Sequence, residues 1–444
     1  MDRVAAASVN AAPARQLRRG LTLGALIALV VANQLGTSLY TLPAAVAGEV
    51  GPIGVVAWLI AAAGFYLIAE TFAELATRFP RTGGPYVFAA EAFGRFAGFE
   101  TAWCYWLTAW IGNVAIATGV VAYLGYFIPA LDRSDLLRFA AGQALLWGAA
   151  WLNVRGVRES GRVQQVLLVL NVVPFVLLAL ALPHIQLANF HPWAPKGVGA
   201  LGGGVALLVW AFTGVESAAV TPEEVDGDGR MIHRGTRIGF AIAATMYVLA
   251  AVVVVGVLPS AKIAATARPL SAVLAHALGP WAGTAIALLG VSTAAACLNG
   301  WTMLLGRAGF SAAQDGVFPA FFARVHPRYG TPHVGLWVGT AFASLGLFTY
   351  FSQSLLQAFE KLVLVANFSV LMAYLATTLS AVVLAMRADT ISAGRNHPRL
   401  LAIGAGATAF ILWAIANVGM ETIRWGVAVV VLGVPLYILK MRIR

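Results

Sequence analysis

Charge is what this chain has least of. Of its 444 residues, 11% are charged and 60% hydrophobic, roughly half the charged coat that keeps an ordinary domain in water. A soluble globule is therefore excluded. Apolar stretches of about 20 residues, the length that crosses a ~30 Å hydrocarbon core, recur instead from Leu21 to Leu439. The short alternating segments of a membrane β-barrel are missing. Cysteine is nearly absent too: Cys104 and Cys297 both sit inside apolar runs, which excludes a disulfide scaffold and leaves neither with a partner at metal-ligand spacing. No G-x-x-x-x-G-K-[ST] loop occurs, so the chain does not itself hydrolyse nucleotide. No nucleophile with its base and no ligand cluster stands out, and neither an enzyme nor a metal or cofactor is expected.

Negative charge is the scarcer sign, with 18 Asp and Glu against 29 Lys and Arg and a net charge of +11. In a membrane chain the placement of basic residues says more than their sum. Twelve spans are placed at about 21–48, 53–79, 96–129, 134–154, 162–182, 200–222, 236–258, 280–306, 334–353, 358–386, 399–418 and 421–440. With both termini cytoplasmic, 22 of the 29 basic residues fall on inside segments and 7 outside. That asymmetry orients a multi-pass protein of the cytoplasmic (inner) membrane, its partners a lipid bilayer and a small molecule. The basic balance follows from topology, and no nucleic acid is needed to explain it. Residues 1–20, with Arg3, Arg15, Arg18 and Arg19, read as a disordered cytoplasmic tail, because the apolar stretch behind them is too long for a cleaved signal peptide.

Two spans are interrupted. The first carries Asn33, Gln34, Gly36, Thr37 and Ser38 in its middle, and the sixth carries Thr213, Gly214 and Glu216. Each is a Gly-centred polar break where backbone groups would go unpaired against lipid. Broken segments at corresponding places in two halves point to a secondary transporter built from inverted repeats. One domain over 21–444 is expected, with repeats at about 21–182 and 200–386 and two extra helices at 399–440. Half-helix N-termini there suit a carboxylate, and the indoles Trp210 and Trp301 suit a cationic head once water is excluded. Glu216, an ionisable group inside a span, is a functional candidate by default. Glu70, Glu74 and Glu100 read as structural or interfacial, Arg307 and Asp315 as a pair, and Ser292 and Thr293 as satisfying local carbonyls.

The broken first span Asn33-Gln34-Leu35-Gly36-Thr37, the turn Arg81-Thr82-Gly83-Gly84-Pro85-Tyr86, the sixth-span stretch from Trp210 to Ala218 and the loop from Gly306 to Pro332 together resemble the amino acid/polyamine/organocation transporter superfamily. Span three from Tyr105 to Asn113 and Asn299-Gly300-Trp301-Thr302 are most similar to its arginine/agmatine antiporter branch. The resemblance implies an all-α membrane protein of leucine-transporter type, with inverted five-helix repeats and helices 1 and 6 unwound around the substrate. It implies that Gly36, Thr37 and Ser38, standing where the family has a Gly-Ser-Gly type stretch, hold the ends of the substrate with the backbone around Thr213. Asn33, Asn113, Trp210, Glu216 and Trp301 match further binding residues. Ala109 replaces a cysteine near the guanidinium. Tyr105, Trp210 and Glu216 match gating residues, and Tyr86 matches a tyrosine linked to pH gating. Asn171 stands where some relatives place a lysine that substitutes for sodium, which disfavours a lysine-proton mechanism. Relatives can dimerise, and a homodimer stays open.

The expected function is exchange of a cationic amino acid for its decarboxylated amine or another amino acid by alternating access. Two alternatives remain: proton- or sodium-coupled uptake of a neutral or aromatic amino acid, and a sensor or partner subunit that binds without transporting.

Overall fold

The first apolar segment folds as two helices, α1 (Leu23–Leu35) and α2 (Ser38–Val50), separated by Gly36 and Thr37. Gly36 sits at φ 31°, where a side chain is strained, and a Cβ there would lie 2.6 Å from Cys297 Sγ. The break is thus written in one residue. At the other end of α1, the Thr22 hydroxyl accepts from the Ala25 N–H at 3.3 Å, a cap that fixes where the helix begins.

The computed structural model describes residues 20–156, 170, 172–226, 229–259, 262–263, 268–348, 353–387 and 397–442. The expected tail up to residue 19, Asn171 and the basic residues Arg158, Arg162 and Arg395 lie outside these. After α2 come α3 (Gly54–Arg78), α4 (Pro85–Phe93), α5 (Arg95–Leu124), α6 (Ala130–Arg133), α7 (Asp135–Arg155) and α8 (Val172–Ala181). The second broken segment follows as α9 (Leu201–Phe212) and α10 (Ser217–Val220), then α11 (Gly229–Val257), α12 (Pro269–Leu278), α13 (Pro280–Gln314), α14 (His333–Gly346), α15 (Gln353–Met386), α16 (His397–Asn417) and α17 (Met420–Arg442).

Eight of the described segments are long and apolar enough to cross a membrane. α7, α8, the broken α9/α10 and α14 fall on four of the other expected spans. Several boundaries differ from expectation: α11 begins at Gly229 rather than 236, and α13 runs on to Gln314 rather than 306. The third span stops at Leu124 rather than 129, because residues 125–128 turn and Pro129 has no N–H to continue the ladder. The helix of the ninth expected span, α14, ends at Gly346 rather than 353. Two short helices, α4 and α12, stand in loops where none was expected; at 9 and 10 residues they are too short to show in a span-length pattern.

The long helices α5 and α13 pack along each other through the centre, with α1 against α13 and α15 against α5. α13, at 35 residues, is ~52 Å long and projects beyond the hydrocarbon. Its end therefore reaches the loops. By contrast, only 28% and 17% of the apolar windows of α16 and α17 are buried inside the protein, so these two helices sit at the periphery with faces left for lipid.

The structural acids have specific jobs. Glu70 on α3 pairs with Arg237 of α11 and with Arg399 of α16 at 2.7 Å, and Glu74 with Arg78 at 2.7 Å and His233 at 3.3 Å. They tie three helices together at one end of the bundle. Glu100 differs: both carboxyl oxygens are buried without a partner among the described residues.

Candidate functional site

The two breaks face each other. Asn33 Nδ2 donates to Ser217 Oγ at 2.7 Å, and the Tyr247 hydroxyl reaches both the Gln34 carbonyl and, at 2.9 Å, the Ala211 carbonyl. Gly214 at φ 109° brings the second break within 2.9 Å of the Asn33 backbone, measured from where a Cβ would be. Only glycine fits there. Backbone carbonyls freed by the unwinding thus find partners across the gap rather than along a helix, as burial demands.

Between the breaks is a small cavity. From the first break it is lined by Asn33, Gln34, Thr37 and Ser38, from the second by Trp210 and Thr213, and from α5 and α13 by Ile116, Cys297 and Trp301. It has room for about one water molecule, so the walls are closed on one another. Trp301 is held by its Nε1, which donates to the Asn33 carbonyl at 3.1 Å. Thr213 Oγ1 is turned onto the Val209 carbonyl at 2.7 Å. Thr37, the residue before α2, makes no side-chain cap bond, leaving the first turn of a 13-residue helix open toward the cavity. Two acceptors, Asn33 Oδ1 and Gln34 Oε1, are buried without a partner among the described residues.

The remaining expected site residues lie behind this wall. Glu216 does not line the cavity. It is fully buried; Tyr105 donates to it at 2.8 Å, the Gly214 N–H at 3.0 Å, and the Tyr374 hydroxyl completes the set. Tyr105 in turn packs its ring 6.2 Å from that of Trp301. Asn113 turns to Thr302 Oγ1 at 3.4 Å, and Ala109 is buried in the core; neither lines the cavity as it stands. Sequence reasoning missed Gln34 as a lining residue, and also Cys297, Ser217, Tyr247 and Tyr374, because their roles arise from contacts between distant segments. Ser292 donates to the Leu289 carbonyl at 3.0 Å, while Thr293 meets the Tyr40 hydroxyl at 2.9 Å.

The two ends of the bundle are unlike. On the α6 side a hollow of about 480 Å³ reaches down to Thr37, which it shares with the cavity. The α4 side is closed. Tyr86 donates to Asp315 at 2.8 Å and Arg81 grips the same carboxylate at 2.9 Å. Thr82 donates to Glu223 at 2.9 Å and accepts, at its carbonyl, from Ser311. Burial, and then the Asp315 carboxylate, push the Tyr86 phenol well above its ordinary range, so it remains a donor throughout neutral and acidic conditions. Arg307 does not pair with Asp315 as expected: it forms a fully buried bidentate pair with Glu224 at 2.7 and 2.8 Å. The Glu224 carbonyl accepts from the N–H groups of Gly20 and Leu21, both at 2.9 Å, which ties the approach to α1 to the loop after α10.

Among the described residues no group of three or more His, Cys, Asp and Glu side chains is placed to hold a metal ion. A broken helix pair around a small closed cavity, with a separate hollow toward one end and ion pairs across the other, is the geometry of a carrier. Comparison with known proteins agrees. The chain is 28% identical over 420 residues to an arginine/ornithine antiporter of Pseudomonas aeruginosa, covering 90% of this chain and 86% of that one. It is 34% identical over 316 residues to a cadaverine/lysine antiporter of Escherichia coli, covering 69% and 70%. An arginine/agmatine antiporter of Chlamydia abortus is 27% identical over 453 residues, covering 95% and 90%. Residues 21–435 match the amino acid permease family, and the chain, a multi-pass membrane transporter, belongs to it.

Proposed function

We propose that the protein is a twelve-span exchanger of the inner membrane, with both termini cytoplasmic, that takes up a cationic amino acid against its decarboxylated amine or a second amino acid. The observation that carries this reading is the pair of unpartnered acceptors, Asn33 Oδ1 and Gln34 Oε1, on the wall of a cavity between two indoles. Buried amide oxygens without donors are costly, and an ammonium or guanidinium supplies donors without acceptors of its own. Trp210 and Trp301 line the same cavity, and indole rings suit a cation once water is excluded. The open first turn of α2, at Thr37 and Ser38, supplies N–H groups for a carboxylate.

In this reading the α6 side is outer and the α4 side inner. The small size of the cavity makes ligand entry require separation of its walls, while the Tyr86–Asp315 and Arg307–Glu224 contacts hold the inner side shut. Glu216, with Tyr105 and Tyr374, holds the second break from behind rather than touching the ligand. Exchange follows if the empty carrier changes sides slowly, so that each return needs a counter-ligand.

A counterflow screen in liposomes tests this: vesicles loaded with one unlabelled candidate take up labelled arginine, ornithine or lysine. Uptake that depends on an internal basic amino acid or amine is expected. Uptake confined to neutral amino acids and driven by a proton or sodium gradient would overturn the reading.

A further inference from the structure

The hollow on the α6 side is a place where a ligand fits while the central cavity does not admit one. Its volume of about 480 Å³ lies within the range of small-molecule sites, and its floor is Thr37, the residue at which the central cavity begins. Its walls carry a specific chemistry. Thr41 and Thr118 spend their hydroxyl protons on the Thr37 and Ala115 carbonyls, at 3.0 and 2.7 Å, and therefore offer acceptor lone pairs to whatever else approaches. The lining of the hollow also holds two opposite charges, Asp132 and Arg138, joined through the Asp132 backbone carbonyl.

Arg138 is set in place by the chain around it. Its Nε donates to the Leu131 carbonyl and its Nη2 to the Asp132 carbonyl, both at 2.8 Å, and Nη1 lies 3.0 Å from Asp135. These contacts use three of five N–H groups and fix the plane of the guanidinium in advance, which lowers the ordering cost of a further bond. Asp132 receives both its contacts from a single nitrogen of Arg268, at 3.0 and 2.9 Å, and a carboxylate has capacity for more. A carboxylate beside a guanidinium is the complement of an ammonium beside a carboxylate.

From this geometry we infer that the hollow is an outer loading site for the zwitterionic end of an α-amino acid, with Arg138 reading its carboxylate and Asp132 its ammonium. The inference rests on the exchanger reading and adds a direction to it. A decarboxylated amine lacks the group that Arg138 recognises and meets that cation only as a like charge, so the amino acid is loaded from outside in preference to the amine. The central cavity then need not discriminate between the two.

The test is uptake of labelled arginine and labelled agmatine, each from outside, into right-side-out vesicles preloaded with unlabelled arginine. In Arg138→Gln the outer KM for arginine rises about threefold to fivefold, the size expected of a partly exposed charged contact, with the maximal rate unchanged, while the KM for agmatine holds or falls. Arg138→Lys recovers part of the arginine affinity. Lys196→Gln, which removes an equal charge from a different hollow, leaves both ligands as in the wild type. Equal shifts for arginine and agmatine in Arg138→Gln would mean that Arg138 only supports the loop, and no shift for either would mean that the hollow is not visited; both overturn the loading site while wild-type exchange stands. A wild type that exchanges neither ligand fails the exchanger reading itself, and the loading site falls with it.

Discussion

The two helix breaks are built from similar residues and end up in opposite conditions. Around the first, side-chain valences are left over: Asn33 Oδ1 and Gln34 Oε1 have no partner among the described residues, and Thr37 caps nothing. Around the second, they are used up, since Glu216 takes two phenols and the Gly214 amide, and Ser217 both donates to the Gly214 carbonyl and accepts from Asn33. An intramembrane acid draws the eye as the chemically active group. Here it is fully engaged by its own break, and in the proposed reading the ligand meets the other one.

Four substitutions sharpen or break that contrast. The largest effect is expected from Glu216→Ala, which strands two buried hydroxyls, while the Gly214 N–H keeps the Tyr374 hydroxyl oxygen at 3.3 Å; at about 1–3 kcal/mol for each lost partner, the protein should lose at least ~2 kcal/mol of stability, read as a lowered unfolding temperature in detergent. A variant as stable as wild type but defective in ligand affinity would put Glu216 back in the binding site. Next comes Trp210→Ala, on the receptive side, where loss of an indole face worth ~1–2 kcal/mol should weaken binding about tenfold with little change in unfolding temperature. Affinity measured on purified protein decides it.

How far the sequence carries the reader follows the same line. Gly36 and Gly214 were legible because a glycine among polar residues in an apolar run has few other uses, and the breaks fall where that pattern put them. Glu216 was legible as a costly charge, but its neutralising partners were not: Tyr374 lies 158 residues away, in a helix whose local pattern is ordinary core. Arg307 was assigned to Asp315 because they are close along the chain, whereas its true partner Glu224 is 83 residues distant. Ala109 and Asn113 share a helix with Ile116, about two turns and one turn before it, yet the height and rotation of that helix against the cavity and the bond to Thr302 decide which of them meets it. Long-range partnership and helix rotation are tertiary facts, and periodicity carries neither.

Two smaller effects test the closure and the wall. Tyr86→Phe removes one donor to Asp315 and should change the exchange rate by about fivefold, as loss of roughly 1 kcal/mol implies. Because the phenol is held well above its usual range, it stays protonated between pH 5 and 8, to take about the working range, and the factor should be the same at each pH; a factor that varies across this series would make Tyr86 itself the titrating group. Asn113→Ala is the mildest, because its bond to Thr302 is long, at 3.4 Å. Cationic and neutral ligands of similar length should lose affinity alike, by about twofold or less, and selective loss of the cationic ones in competition binding would place Asn113 in contact with the ligand's head.

Two of the ion pairs at the closed end differ in their access to water, and this gives them different responses to salt. Arg81 and Asp315 keep 49% and 35% of their side chains exposed, whereas Arg307 and Glu224 keep none. Mobile ions weaken the first pair within a Debye length of ~8–10 Å and cannot reach the second while the end is shut. Raising ionic strength therefore loosens the outer layer of the latch and leaves its inner layer intact until the chain itself parts. If the α4 side opens as the proposed exchange requires, parting the buried pair exposes two charges whose hydration offsets the lost contact, so that opening should draw water in rather than merely admit it.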